Sequence, residues 1–510
     1  MPAKDSYDYI VIGAGSAGCA LAHRLVLGSG ASVLLVEAGG PDDRPAIHDP
    51  RGLLSLWGSD LDWKIVTEPV PGLNGRVLPI ARGKVLGGCS SIFAMVHVRG
   101  NPRDFDHWNY LGNEGWGYRD VLPLFRRMEN FEGGASEYHG AGGPVSIRYN
   151  PEPTPVAHAF VQAARELGFD GGDRWDYNGA RQENGAALYQ HTITRDGKRA
   201  STAVAYLHPI LSHANFTALT NATVTKIRIE GGQARGIEVE HAGAKQFIAA
   251  GREVILCAGA FQSPQLLMLS GVGPATELGR HGIPVLVALE GVGRNLQDHL
   301  LVPVLYKSKV PLPVPMFIAE AGLFIRTRPG LDAAAPDLQY HFSAGIPGLT
   351  PPGLDPLFGF VPILTKPQSR GRVTLRSASP AAAPVVQPNY LDRGTDVEVL
   401  LRGIQLAHEL AAAKAFVPFN AGPIVPAPAT DRKGLVEFIR GHAATVWHPV
   451  GTCKMGRDAE AVVDPQLRVH GLKGLRVADA SIMPVITAGN TNAACMMIGE
   501  KAADLILAAA

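Results

Sequence analysis

Asp8-Tyr9-Ile10-Val11-Ile12-Gly13-Ala14-Gly15-Ser16-Ala17-Gly18 opens the chain, and a second apolar run, Ser32-Val33-Leu34-Leu35-Val36, ends on Glu37, 24 residues after Gly13. Strand, glycine-rich turn, helix, second strand and terminal acid, in that order, spell a dinucleotide-binding unit. Gly13 permits the tight turn, Gly15 lets the backbone approach a pyrophosphate, and Gly18 lets the helix lie close to the strand. A helix from about Ser16 directs the free N–H groups of Ser16 and Ala17, and its positive dipole end, at the phosphates. Glu37 stands where a carboxylate accepts hydrogen bonds from ribose hydroxyls. Glycine-rich turns alone are common; the ordered combination is what carries weight. The pattern does not separate a nicotinamide from a flavin.

A chain of 510 residues exceeds one typical domain and predicts two. Hydrophobic residues at 46% and charged residues at 18% describe an ordinary globular protein. The formal net charge of +1 gives no global field that attracts nucleic acid or an anionic membrane. No stretch reaches the roughly 18 uninterrupted apolar residues of a membrane span. A first strand starting near Tyr7 leaves no room for a signal peptide, so a soluble, cytoplasmic protein is expected. Cys19, Cys89, Cys257, Cys453 and Cys495 are scattered and read as reduced, mostly buried residues. No His, Cys or carboxylate cluster has metal-ligand spacing, and no Gly-x-Ser-x-Gly elbow appears.

The opening unit predicts an α/β fold around a doubly wound, Rossmann-type parallel sheet. Arg252 to Ala258 and Gly474 to Asp479 read as further strands of that sheet, so the cofactor domain is assembled from separated pieces. Asp337 to Phe342 and Gly371 to Leu375 alternate in polarity and predict an antiparallel sheet in a smaller α+β substrate domain. The expected division is 1–150, 195–300 and 430–510 for the cofactor domain, and 151–194 and 301–429 for the substrate domain.

Residues 82 to 100, Arg-Gly-Lys-Val-Leu-Gly-Gly-Cys-Ser-Ser-Ile-Phe-Ala-Met-Val-His-Val-Arg-Gly, resemble the first signature of the glucose–methanol–choline oxidoreductase family. Residues 259 to 273 resemble its second signature. Asn295-Leu296-Gln297-Asp298-His299, His448-Pro449-Val450-Gly451-Thr452 and Gly489-Asn490-Thr491-Asn492 follow in the family's order. The resemblance spans nearly the whole chain and implies flavin adenine dinucleotide (FAD) as cofactor. It implies Gly13, Gly15 and Gly18 at the diphosphate and Glu37 at the adenosine ribose. Arg82, Gly83, Gly87, Gly88 and Ser91 are implied on the flavin side, Val224 at adenine, and Asp479 and Ala480 where the last turn meets phosphates and ring. Many members carry asparagine at the position of Phe93; phenylalanine removes that donor and offers a stacking face to a planar substrate. Members with covalent flavin use a histidine, in some at the position of Ile92, so noncovalent FAD is expected.

The implied reaction removes hydride from an alcohol carbon to flavin N5 while a base takes the hydroxyl proton. Imidazole suits that base, and of 17 histidines His448 matches the family's catalytic one. Asn490 matches its partner and donates to developing negative charge; an N-cap role is the alternative. Asn492 competes for the same assignment, with cofactor contact favoured for it and for Thr491. His299 reads as structural, a relay oriented by Asp298 being the alternative. His97 and His442 read as structural, substrate contact being the alternative for either. Trp447 is expected either to line the pocket or to belong to the core. Residues 300 to 430 show no charge cluster, and no carboxylate-and-aromatic cage for a trimethylammonium group is located. Phe93 favours a compact aromatic alcohol such as pyridoxine or hydroxymethylfurfural, with oxygen or another electron acceptor reoxidising the flavin. Sugar-alcohol or sorbose-type and choline-type dehydrogenases of the family are alternatives. So is a flavin-containing cyanohydrin lyase, and a nicotinamide dehydrogenase fits only the first 40 residues.

Overall fold

The computed structural model describes residues 4–509 apart from 329, 331–333, 346–347 and 349–352. Its first sheet has seven strands: β1 (Ser6–Ile12), β2 (Val33–Val36), β3 (Phe216–Leu219), β4 (Ala222–Glu230), β5 (Gln233–His241), β6 (Ala244–Leu256) and β7 (Leu475–Val477). The order is β3-β2-β1-β6-β5-β4, with β7 on the far half of β6. β1 lies parallel to β2 and β6, and β7 parallel to β6, whereas β4 and β5 form an antiparallel extension. Ile10 and Val11 have no solvent exposure, as expected of a parallel strand covered on both faces. Helix α1 (Ser16–Gly28) follows β1 and packs on the last helix, α3 (Asn492–Leu507). Gly499 makes that approach feasible, because a Cβ there would stand 2.2 Å from the Ala17 carbonyl oxygen. Gly18 lets α1 press on the turn after β1, where a Cβ would stand 2.0 Å from the Gly13 carbonyl oxygen. The strands expected near 252–258 and 474–479 both belong to this sheet, so it is assembled from the two ends and the middle of the chain.

A second sheet of nine strands is built chiefly from Gly185–Leu188, Val304–Ser308, Ala321–Ile325, Leu338–Ala344, Leu357–Leu364 and Asn420–Val425, with antiparallel neighbours. Helices Pro155–Glu166 and Gly394–Ala411 supply apolar residues, among them Phe160 and Leu400, to the core over this sheet. Two expectations need correction. Leu338–Ala344 is almost wholly buried rather than alternating, because it is a central strand covered on both faces. Gly371–Leu375 is not part of the sheet: Arg372–Thr374 pairs only with Val385–Gln387 in a separate hairpin, and Val373 donates its N–H to the Gly293 carbonyl.

A clamp of backbone bonds ties the segment 295–299 to the segment 446–451 near the site. Gln297 exchanges N–H and C=O bonds with Val450, and Val446 donates to the His299 carbonyl. The Asn295 amide donates to the carbonyls of Gly451 (3.2 Å) and Pro484 (3.1 Å). No helix among the described residues is long and apolar enough to cross a membrane.

Candidate active site

A continuous cavity of about 1270 Å³ runs from the C-terminal end of β1 to the inner face of the second sheet. Gly13, Gly15, Ser16, Ala17, Glu37, Arg82, Gly83, Gly88, Phe93, Val224, Trp447, His448, Asp479, Ala480, Asn490, Thr491 and Asn492 line it. Three residues expected at the cofactor are set back from this wall. Gly18 is pressed against Gly13, and a Cβ on Gly87 would strike the Ser91 hydroxyl oxygen at 2.3 Å. Ser91 turns inward, its buried hydroxyl donating to the Leu86 carbonyl at 2.6 Å. These three shape the turns from behind.

At one end the first turn of α1 has no side-chain cap, so its N–H groups face the cavity at Gly15, Ser16 and Ala17. Glu37 accepts from the backbone N–H groups of Ala14 (3.0 Å) and Gly39 (2.9 Å). Burial nevertheless pushes its carboxyl up to about 7, so a ligand hydroxyl donating to it would recover part of that desolvation. Ser16 donates to Asn492 Oδ1 at 2.5 Å, which ties the start of α1 to the start of α3. Asp479 is held by the Ser263 hydroxyl (2.6 Å) and the Gly259 N–H (2.9 Å).

At the other end the imidazole of His448 and the amide of Asn490 converge, with Nε2 and Nδ2 3.4 Å apart. Asn490 lies before the Thr491 cap of α3, so it is not the cap. The turn carrying His448 is strained: Trp447 has φ +60, a left-handed conformation costing about 1–3 kcal/mol in a bulky residue. Three bonds hold it there. Thr445 Oγ1 accepts the Trp447 N–H at 2.8 Å, Arg82 donates to the Trp447 carbonyl at 2.7 Å, and the indole donates to the Pro79 carbonyl at 3.3 Å. Asp298, fully enclosed, gathers four donors around the same turn: the N–H groups of His448 (2.8 Å) and His299 (2.9 Å), and the hydroxyls of Tyr390 and Thr445 (2.5 Å each).

Sequence reasoning assigned His299 a structural place, but its Nδ1 lies 2.9 Å from Nδ1 of His448. The Asp298-His299 pair was the available signal; the contact itself crosses 149 positions. His299 Nε2 lies 3.1 Å from the Thr365 carbonyl, which can only accept, so that nitrogen carries the hydrogen. Burial drops His299 to about 3, aided by Lys366, so the ring is neutral and its Nδ1 is a bare lone pair. The hydrogen between the rings therefore sits on His448 Nδ1, and the His448 Nε2 lone pair faces Asn490 and the cavity. Burial, followed by His299, His341 and Arg82, holds His448 well below the ordinary imidazole value. An unprotonated acceptor nitrogen beside an amide donor is the arrangement that takes a proton from a hydroxyl and supports the oxygen left behind.

Phe93 lines the cavity beside Met95, Met316 and Phe317, and the Arg199 guanidinium lies 5.6 Å from its ring. Trp447 also lines the cavity and packs on Trp57 with ring centroids 4.4 Å apart. Of the other histidines, His97 is buried against Glu129 and away from the cavity. His442 stacks on Phe438 and borders the cavity. Among the described residues no group of His, Cys, Asp and Glu has the makings of a metal site.

A glycine-rich turn opening into a chamber where an imidazole meets an amide has the form of a nucleotide-cofactor oxidoreductase. The chain belongs to the GMC oxidoreductase family, matching its N-terminal part over residues 7–301 and its C-terminal part over 367–499. It is 42% identical to an oxygen-dependent choline dehydrogenase of Sinorhizobium fredii, across 98% of this chain and 95% of the relative. The structure of pyridoxine 4-oxidase from Mesorbium loti superimposes with a TM-score of 0.92 at 34% identity, covering 98% of both chains. An Aspergillus oryzae formate oxidase structure gives 0.91 at 27% identity over 99% of both. The enzyme is thus an FAD-dependent oxidoreductase acting on CH–OH groups.

Proposed function

We propose that this enzyme binds FAD noncovalently and oxidises a compact, uncharged primary alcohol to an aldehyde, an aromatic hydroxymethyl compound being the favoured class. Gly13, Gly15, Ser16 and Ala17 receive the diphosphate, Glu37 the ribose, and Val224 the adenine. Arg82, Gly83, Gly88, Asp479, Ala480, Thr491 and Asn492 surround the rest of the cofactor. The uncapped helix start and the underused Glu37 carboxylate support that fit. Ile92 supports the noncovalent mode, since an alkyl side chain forms no bond to a flavin. The bound flavin supplies the hydride acceptor. The units at 1–150, 195–300 and 430–510 form the cofactor domain, and 151–194 with 301–429 the substrate domain.

The acid–base step belongs to the chain's own residues. One alcohol oxygen accepts from Asn490 Nδ2 and donates to His448 Nε2. As the proton passes to Nε2, the Asn490 amide stabilises the charge growing on that oxygen. The observation that carries this reading is the tautomer fixed from the Thr365 carbonyl through His299 to His448.

Polarity of the chamber separates the substrates. Among the described residues the carboxylates lining the cavity are Glu37, Glu240 and Asp479, all on the first sheet or its βα turns. The second sheet contributes apolar wall such as Leu305, Ala344, Leu357 and Val361. A quaternary ammonium brought there loses several kcal/mol of hydration with no carboxylate opposite it, and aromatic faces return about 0.5–2 kcal/mol each. The likeness to choline dehydrogenases favours choline as the second reading. Anaerobic mixing with pyridoxine, 5-hydroxymethylfurfural, sorbose and choline decides. Bleaching of the flavin by the uncharged aromatic alcohols supports the proposal, fastest bleaching by choline overturns the substrate, and no bleaching by any alcohol overturns the redox reading in favour of a lyase. Reduction of His448→Ala at the parental rate overturns the base.

A further inference from the structure

Behind Asn490, on the second sheet, stands Gln339. We propose that Gln339 is a positioning residue for the reaction, fixing which end of the Asn490 amide faces the alcohol oxygen; this rests on the role given to Asn490 above. Gln339 Nε2 lies 3.1 Å from Asn490 Oδ1 and 2.8 Å from the Tyr189 hydroxyl oxygen. Tyr189 donates its own hydrogen to the Tyr340 carbonyl at 2.8 Å. Only a lone pair of that hydroxyl is left for Gln339, so an NH₂ must face it. The same NH₂ then donates to Asn490 Oδ1, and Asn490 is left with its nitrogen towards His448. His341 Nε2, 3.1 Å from Gln339 Nε2, is a further acceptor in this group and shares its hydrogens.

The other end of Gln339, its buried Oε1, has no partner among the described residues. Two anchors thus set the polarity of the pair. One runs from the Tyr340 carbonyl through Tyr189 and Gln339 to Asn490, and the other from the Thr365 carbonyl through His299 to His448. Tyr340 lies on the strand Leu338–Ala344 and Thr365 directly follows its neighbour Leu357–Leu364. Substrate-side strands therefore orient groups that sit on cofactor-side loops.

Gln339→Met keeps length and volume while removing both amide ends. The freed Asn490 amide can turn its oxygen to His448 Nε2, and an acceptor there favours the protonated imidazole. The charged or titratable groups facing His448, namely His299, His341, Arg82 and Asp298, are all kept, although His341 loses its contact with Gln339. In the flavin-loaded variant, mixed anaerobically with whichever panel alcohol reduces the parent fastest, the limiting reduction rate falls about 10–100-fold. Half-saturation stays within about threefold, and the acid limb of the pH profile moves to higher pH. In an Asn490→Ala background the same substitution adds less than about threefold. A parental rate and pH profile overturns the proposal, as does an undiminished effect in the Asn490→Ala background, which would mean general loosening. Where Gln339→Met fails to retain flavin, Tyr189→Phe, which removes the hydroxyl that sets the sense of Gln339, must give the same direction of pH shift. A slow His448→Ala beside a parental Gln339→Met rejects only this inference, whereas a parental His448→Ala rejects the reading beneath it.

Discussion

His299 and His448 face each other through like nitrogens, Nδ1 to Nδ1 at 2.9 Å with the ring planes at 88°. Two lone pairs at that distance would repel and two N–H groups would clash, so one hydrogen lies between the rings. The Thr365 carbonyl, by holding the hydrogen on His299 Nε2, decides which ring supplies it. The free lone pair of His448 is thereby placed on Nε2 with no carboxylate among the described residues bonded to its ring.

Removing that acceptor tests the idea. His299→Leu leaves His448 Nδ1–H without its partner and releases the ring to either tautomer. Reduction of the flavin by alcohol is expected to slow about 10–100-fold, with flavin content retained. A parental rate in anaerobic rapid mixing would mean that the orientation of His448 comes from the Asp298 bonds to its backbone alone.

The pH dependence follows from the direction of the His448 shift. Its pKa in the fold lies below the ordinary 6.5, chiefly through burial, and the base works when unprotonated. Activity is then flat through pH 6.5 and is lost only as pH falls through the depressed value. A group whose folded pKa is lowered also opposes folding in acid: between 6.5 and the folded value the unfolded chain binds a proton that the native chain refuses. His191 and His299, both pushed by burial to about 3, contribute there too, each by about 1.4 kcal/mol per pH unit at most. Reduction rates and thermal midpoints measured from pH 7.5 down to 4.5 check both; a reduction rate that halves near pH 7 contradicts the first.

Much of this was legible in the chain because it is local. Gly13, Gly15 and Glu37 sit within one βαβ unit, and His448 and Asn490 stand out through their match to the family's catalytic pair, His448 also through Pro449 and Gly451, which fix its turn. What was not legible depends on contacts across long separations. Gln339 meets Asn490 over 151 positions and His299 meets His448 over 149, and no periodicity announces either pairing. Ser91 differs: its motif implies a cofactor contact, whereas its buried hydroxyl donates to the Leu86 carbonyl behind the turn at Gly87. Gly371–Leu375 has a strand's pattern, yet its partner is a hairpin arm that no alternation identifies.

Asn490 separates donor chemistry from simple space filling. Asn490→Ala removes the amide that supports the developing charge and is expected to lower the reduction rate about 10²–10³-fold. Asn490→Asp is closer in shape but worse in electrostatics, since a carboxylate repels the same charge and raises the His448 pKa. Its reduction rate should fall at least as far as that of the alanine variant, with the acid limb moved to higher pH. An aspartate variant faster than the alanine variant would contradict the donor role.

Gly88 tests whether the two cofactor motifs must touch. Its φ is +52 and a Cβ there would stand 2.7 Å from the Gly15 Cα, so the flavin-side turn rests directly on the glycine-rich loop. Gly75, at φ +74, has nothing within 4 Å of its virtual Cβ. Alanine at either position costs about 1 kcal/mol of left-handed strain, but only at Gly88 must backbone move as well. Gly88→Ala is therefore expected to lose flavin during purification, while Gly75→Ala keeps the parental ratio and loses only a few degrees of thermal midpoint. The flavin-to-protein absorbance ratio distinguishes them. Full flavin in Gly88→Ala would show that the loop at Gly15 yields without loosening its hold on the diphosphate, and that the contact between the motifs is incidental to binding.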